Sequence, residues 1–226
     1  MEFLIKLILA LLVLFYASLL DWRYREINDA SWLALVLMGI VFVGVDVVRT
    51  GDNTPLLYFL ISVGVTSALM FALSYFNLLG GGDAKIFIGI AALFPYYHRE
   101  VITVFPIFSL SVFANAIMLS LTLPVYFFLR NLPHLKQVKS ARQFYALFLG
   151  YKKRASEIKP YEAVYGNGEK FKFLLRTDAE LGKAEGEGEV WVTPAVPFVI
   201  PITIGVLLSA LYGDVISALI LFLRGR

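Results

Sequence analysis

The sequence predicts an all-α membrane protein with six transmembrane helices and a small α+β cytoplasmic insertion between helices 5 and 6. Hydrophobic residues make up 59% of the 226-residue chain and charged residues 16%, whereas roughly 25% of residues are charged in typical globular proteins. Several uncharged runs approach or exceed the ~20 residues that a membrane-spanning helix needs. The mean hydropathy of +0.75 agrees. This composition excludes an ordinary soluble protein.

Five apolar runs precede the insertion and one follows it. The predicted spans are residues 3–20, 30–48, 55–79, 86–97, 101–129 and 194–212. The fourth has only 12 residues, about 18 Å of helix, against a hydrocarbon core of about 30 Å. Either this helix is therefore shallow, or its first turn begins inside the membrane, which would place Asp83 below the lipid surface. Pro106 and Pro124 are expected to kink or end the fifth span, and residues 215–223 either continue the sixth or form a separate surface helix.

The insertion differs from the rest of the chain in charge. Residues 130–193 contain twelve Lys and Arg against eight Asp and Glu. Basic residues concentrate just after the fifth span, which predicts that the insertion is cytoplasmic. Alternating polar and apolar residues predict strands at 170–174 and 187–192. The domain prediction is a membrane domain at 1–130, the insertion at 131–192, and the last helix with the C-terminus at 193–226.

The residue types restrict the available chemistry. The chain has no cysteine and only two histidines, His98 and His134, whose separation matches no metal-ligand spacing. No metal and no cofactor are expected. The charge of +3 is not that of a nucleic-acid-binding protein, so the expected surroundings are the lipid bilayer of the cell membrane, crossed several times.

Two aspartates are the candidates for chemistry. Asp83 follows three glycines where the short fourth span begins, and an ionisable residue beside a helix-breaking loop at membrane depth marks a candidate functional site. Asp21 closes the first span, and six alternating spans place both on the cytoplasmic side. Two carboxyl groups within a few Å share a proton, so one can act as general base on water while the other donates to the carbonyl oxygen under attack. The glycines are expected to permit positive φ and close approach of a peptide, and Lys85 to pair with Asp83 or extend to the surface.

The residues alone leave three interpretations open. Asp21 and Asp83 could catalyse hydrolysis. The broken helix at 80–83 could instead bind an ion or solute in a transporter. In the third interpretation both aspartates are structural: Asp83 caps the fourth helix, and Asp21 pairs with Arg23 or Arg25.

A family resemblance favours the first interpretation. Residues 80–83 fit the GxGD motif of the intramembrane aspartyl proteases. Residues 21–29 (DWRYREIND) and 80–85 (GGGDAK) resemble the two aspartate segments of the type IV prepilin peptidases. Residues 191–203 (WVTPAVPFVIPIT) are similar to the run that opens the last helix of archaeal preflagellin peptidases. The plan of six spans with an insertion is similar too, with the insertion matching least.

The resemblance implies a membrane aspartyl endopeptidase that removes the short basic leader from archaellin or type IV pilin-like precursors near the cytoplasmic face. Asp21 and Asp83 carry over as the catalytic pair, and Gly80 and Gly82 as the motif glycines. Bacterial relatives often carry a cysteine-rich zinc insertion and a methyltransferase activity, which a chain without cysteine is not expected to have. The prolines after the strand at 187–192 are expected to free its edge for pairing with substrate.

Overall fold

The computed structural model describes residues 2–97, 101, 103–138, 141–158, 162–166, 189–194 and 196–225. Its helices and strands are α1 (Glu2–Tyr24), α2 (Asp29–Thr50), α3 (Thr54–Tyr75), α4 (Gly81–Leu93), α5 (Phe108–Ser120), α6 (Thr122–Asn131), α7 (Ala141–Leu149), β1 (Tyr151–Arg154), β2 (Glu162–Gly166), β3 (Glu189–Pro194), α8 (Val199–Leu211) and α9 (Val215–Leu223). Short 3-10 helices cover Leu132–Gln137 and Ala155–Glu157.

The chain divides into two compact units. The first comprises Met1–Leu119 and Pro197–Arg226, and the second comprises Ser120–Val196. The elements described in the first unit are all helices, and its core is made of apolar side chains from α1 to α5 and from α8. The second unit holds α6, α7 and a small sheet.

Four helical segments of the described residues are long and apolar enough to cross a membrane: Glu2–Tyr24, Asp29–Thr50, Thr54–Tyr75 and Phe108–Lys136. They correspond to the first, second, third and fifth predicted spans, so the protein is a multi-pass membrane protein. The predicted count of six is not confirmed, because α4 and α8 have 13 residues each. Thirteen residues extend about 20 Å, which is less than a hydrocarbon core of about 30 Å.

Two predicted spans are interrupted. The fifth is helical only from Phe108 and breaks between α5 and α6, near Pro124. Proline lacks the amide hydrogen that would donate to the carbonyl of Ser120 one turn earlier, so it ends the regular helix there. The last span stops at Leu211, and Gly213 then takes a left-handed conformation with φ 94°. Helix α9 is therefore separate, and the Asp214 side chain caps it by accepting from the Ser217 amide at 2.7 Å.

Helices α2 and α4 pack with their backbones in close contact. A Cβ atom added to Gly39 of α2 would overlap the Ala92 carbonyl of α4. One added to Gly89 of α4 would lie 2.9 Å from the Leu35 Cβ and 3.0 Å from the Trp32 carbonyl oxygen, both on α2. Small residues that let helix backbones approach are a common way to pack helices in membranes. The glycines thus fix the position of α4, which carries Asp83.

The second unit contains a three-stranded antiparallel sheet in the order β1-β3-β2. Val192 of β3 lies opposite Tyr151 of β1 and Val164 of β2. Both edges of β3 are thus occupied, so the expectation that its edge is free for substrate is wrong. The strand predicted at 187–192 corresponds to β3, while the one predicted at 170–174 lies outside the described residues.

Candidate active site

Asp21 lies in the last turn of α1, within the first unit. The helix does not end at Asp21, as predicted, but continues to Tyr24. The side chain of Asp21 is buried, with 8% of its surface exposed, although it is charged at neutral pH in water. A buried carboxylate requires hydrogen-bond donors, so its neighbours determine what it can do.

The first turn of α8 supplies a donor to Asp21. The amide of Val199, the first residue of α8, donates to Asp21 Oδ2 at 3.1 Å. Amides at the start of a helix have no partner within that helix, and the helix dipole places partial positive charge there. One turn away, the hydroxyl groups of Ser18 and Thr203 are 2.9 Å apart and join the same two helices. This arrangement holds the Asp21 carboxylate against α8.

Asp83 is the third residue of α4. Gly80 occupies the N-cap position, and it has no side chain to form a capping hydrogen bond. The hypothesis that Asp83 caps this helix is therefore wrong. The α4 backbone hydrogen bonds begin where the Ala84 amide donates to the Gly80 carbonyl at 3.0 Å. Residues 76–80 separate α3 from α4, so the glycine run starts a helix and does not break one.

The motif glycines provide space, not unusual backbone angles. Gly80 has φ −65°, and the described glycines with positive φ are Gly51, Gly213 and Gly225. The expectation of positive φ in the glycine run is wrong. A Cβ atom on Gly80 would lie 2.9 Å from Asp83 Oδ2, so the Asp83 carboxylate lies over this residue.

The remaining glycines of the run differ from each other. A Cβ atom on Gly82 would lie 3.0 Å from the Ile27 Cδ1 atom, whereas one on Gly81 meets nothing within 4 Å. Ile27 belongs to the connection between α1 and α2, so this connection packs directly on the first turn of α4. The absence of a side chain is thus needed at Gly82 for packing and at Gly80 for the carboxylate, but not at Gly81.

The two aspartates lie on contacting helices. Helix α1, which carries Asp21, contacts α4, which carries Asp83, and the two carboxyl groups are near enough for a Coulombic interaction. Asp21 comes from the end of α1 and accepts a hydrogen bond from the start of α8, and Asp83 comes from the beginning of α4. A pair of interacting carboxyl groups can supply both the general base and the general acid of a hydrolysis. Among the described residues no group of three or more His, Cys, Asp and Glu residues could hold a metal ion.

The sequence did not indicate two contributors to this site, Val199 and Ile27. Val199 contributes its backbone amide, and a contribution of this kind cannot be recognised from the type of side chain. The proline-rich run before α8 could have indicated it, because prolines favour helix starts and helix starts present unpaired amides. Ile27 contributes by packing against Gly82, which its sequence position did not indicate. The expected pairing of Lys85 with Asp83 is not seen, because Lys85 pairs with Asp29, at 2.6 Å between Nζ and Oδ1.

Comparison with known proteins decides the family. Residues 8–127 match the model of the type IV leader peptidase family. The chain belongs to this family. Residues 124–215 match the model described as the archaeal peptidase A24 C-terminus, type II. As a member of the type IV leader peptidase family, the chain is a membrane peptidase that processes the leader peptides of precursor proteins.

Curated relatives agree over nearly the full length. The chain is 34% identical to the preflagellin peptidase of Methanocaldococcus jannaschii, with 98% of this chain and 99% of the relative covered. It is 30% identical to the preflagellin peptidase of Methanococcus maripaludis, with 93% and 96% covered. It is 29% identical to that of Methanococcus voltae, with 94% and 97% covered. Membership of a peptidase family favours hydrolysis over transport of an ion or solute.

Proposed function

We propose that the chain is an aspartic endopeptidase that removes the short basic leader from archaellin or type IV pilin-like precursors, with Asp21 and Asp83 as the catalytic pair. The observation that supports the proposal is that Asp21 and Asp83 lie on contacting helices, α1 and α4, near enough for their carboxyl groups to interact electrostatically. The names of the curated relatives support the substrate class. The proposed chemistry needs neither a metal nor another cofactor.

The surroundings of the two groups suggest their roles. The Val199 amide and the start of α8 favour negative charge on Asp21, and two adjacent carboxyl groups do not readily ionise together. Asp21 is then the carboxylate that takes a proton from water, and Asp83 carries the shared proton. The water oxygen bonds to the carbonyl carbon as Asp83 protonates the carbonyl oxygen. The C–N bond then breaks as Asp21 gives its proton to the leaving amine. At the same time Asp83 takes a proton back from the hydroxyl group that formed on the former carbonyl oxygen.

The proposed topology follows from charge and helix length. Six spans cross the membrane, with α4 and α8 as the two short ones, and the candidate site lies near the cytoplasmic face. The proposed domain boundaries are 130/131 and 192/193, whereas the two compact units divide at 119/120 and 196/197. The insertion then lies on the same side as the site, where it helps to position the precursor.

Substitution of each aspartate tests the proposal. Asp21→Asn and Asp83→Asn keep the size of each side chain but remove the ionisable group, so each should lower cleavage of a leader-bearing precursor by a factor of about 10³ or more. The measurement is the cleavage rate of purified, membrane-reconstituted protein. Asp52→Asn is the matched control, because Asp52 is exposed in the connection between α2 and α3 and its contact with the Thr54 amide survives in Asn. Normal cleavage by either site variant would reject the pair.

A further inference from the structure

The first turn of α4 has little of its own to hold Asp83 in place. Two of its first three residues, Gly81 and Gly82, are glycines, and Gly80 precedes them. Glycine loses more conformational freedom on folding than any other residue and has no side chain to pack. The direction of the Asp83 carboxyl group must therefore be fixed by contacts that other parts of the protein make with this turn.

One group of contacts reaches this turn from the start of α2. The Lys85 Nζ atom donates to Asp29 Oδ1 at 2.6 Å, and the Trp32 Nε1 atom donates to the same oxygen at 3.0 Å. The Lys85 Nζ atom also lies 5.9 Å from the centre of the Trp32 ring. We call Asp29, Trp32 and Lys85 the α2–α4 clamp. Lys85 is two residues beyond Asp83, and Asp29 begins α2 immediately after the connection that follows α1.

We propose that Asp29 and Lys85 are positioning residues, whose ion pair ties the connection following Asp21 to the turn that carries Asp83 and so sets the separation of the two carboxyl groups. The inference rests on the proposed function of this pair. The clamp acts beside a second contact of the same two segments, that of Ile27 with Gly82. Together the two contacts fix the position of the connection between α1 and α2 relative to the first turn of α4.

The exposure of the clamp separates its effect on catalysis from its effect on folding. The Lys85 and Asp29 side chains are 44% and 61% exposed, and exposed ion pairs contribute about 0–1 kcal/mol to stability. A misplacement of about 1 Å, in contrast, can lower a rate by a factor of about 10². Loss of the ion pair should therefore reduce kcat while the folded protein and its affinity for precursor persist.

Charge exchange is the decisive experiment. In Asp29→Ala and in Lys85→Met we expect kcat for precursor cleavage to fall by about tenfold or more, with KM and the midpoint of thermal unfolding unchanged. The double variant Asp29→Lys/Lys85→Asp restores the ion pair with its charges exchanged but not the hydrogen bond from Trp32, so kcat should rise clearly above that of either single variant. Glu26→Gln, which removes an exposed charge from the same connection, is the control and should leave kcat unchanged.

Two outcomes overturn the proposal. If both single variants cleave at the wild-type rate, the clamp does not position the pair. If the exchanged double variant is no faster than the single variants, the residues act separately and the ion pair is not their common function. Should Asp29→Ala fail to insert into the membrane, Asp29→Asn replaces it under the same criteria, since its side-chain oxygen still accepts from Trp32.

A distance measurement tests the clamp without catalysis. The chain has no cysteine, so spin labels attach only to cysteines that are introduced. Arg23→Cys and Gly81→Cys place one label near each aspartate. We expect Lys85→Met to broaden the distribution of label separations measured from dipolar line broadening, and the exchanged double variant to narrow it again. An unchanged distribution in Lys85→Met overturns the proposal. If Asp21→Asn and Asp83→Asn cleave normally, the proposed function fails, whereas the distribution still reports on the clamp.

Discussion

The buried side chain of Asp21 accepts a hydrogen bond from a backbone amide of α8. Asp21 is located by its helix, but its environment comes from Val199, 178 positions further along the chain. At the end of α1 the helix dipole disfavours a carboxylate, and at the start of α8 it favours one. Because both helix ends meet at Asp21, its charge state depends on whether α8 stays in place. The start of α8 is therefore part of the candidate site.

Gly80 and Gly81 offer a matched test at the residue scale. A methyl group on Gly80 would lie 2.9 Å from Asp83 Oδ2 and must displace this carboxylate, which is the movable end of a side chain. We expect Gly80→Ala to lower the cleavage rate at least tenfold while the thermal midpoint changes little. The methyl group of Gly81→Ala meets nothing within 4 Å, so this control should keep its activity. Equal losses in both variants would contradict the steric explanation.

The first three helices of the first unit were predictable from the length of their apolar runs. Helices α1, α2 and α3 lie close to the predicted spans at 3–20, 30–48 and 55–79, because predominantly apolar runs of that length form helices in a bilayer. The end of α1 was not predictable. It lies beyond Asp21, where Arg25 adopts φ 59° and its amide bonds to the Asp21 carbonyl at 3.1 Å. Arginine gives no sequence signal for this left-handed conformation.

The sheet of the second unit was less predictable than the helices. The pattern at 187–192 marked β3, but its partner β1 lies in the basic run Tyr151–Arg154, which does not alternate clearly in polarity. Nothing local in the sequence reveals that β3 is central, because strand order depends on contacts between segments far apart in the chain. For the same reason, the pairing of Lys85 with Asp29 could not be read from the sequence around Asp83.

The contact of α2 with α4 gives a prediction at the element scale. Gly39→Ala would place a Cβ atom against the Ala92 carbonyl, which is backbone and cannot move without shifting α4. We expect the thermal midpoint of the protein in detergent to fall, with a loss of about 1–3 kcal/mol of stability. Gly44→Ala on the same helix meets nothing within 4 Å and gains about 1 kcal/mol of helix propensity. A midpoint for Gly39→Ala as high as that for Gly44→Ala would argue against tight packing here.

The proposed orientation is a prediction for the whole molecule. Glu26 and Asp52 lie in or beside the two connections at opposite ends of α2, so they should face opposite sides of the membrane. In the cysteine-free chain, Glu26→Cys should react with a membrane-impermeant maleimide only from the cytoplasmic side, and Asp52→Cys only from the other side. The measurement is labelling of intact cells before and after permeabilisation. The reverse pattern would place the candidate site outside and exclude a cytoplasmic leader as its substrate.

The 13-residue length of α4 and α8 has a consequence for the surrounding lipid. In the proposed topology both helices cross the membrane and begin beside Asp21 or Asp83, but they extend only about 20 Å, so a hydrocarbon core of about 30 Å exceeds them by about 10 Å. This hydrophobic mismatch is relieved if the bilayer becomes locally thinner, at a cost of fractions of a kcal/mol per Å. The membrane itself then participates in admitting water and precursor to the carboxyl groups. We expect cleavage in vesicles of short-chain lipids to be faster than in vesicles of long-chain lipids at equal protein insertion, and a rate independent of chain length would show that the protein alone provides this access.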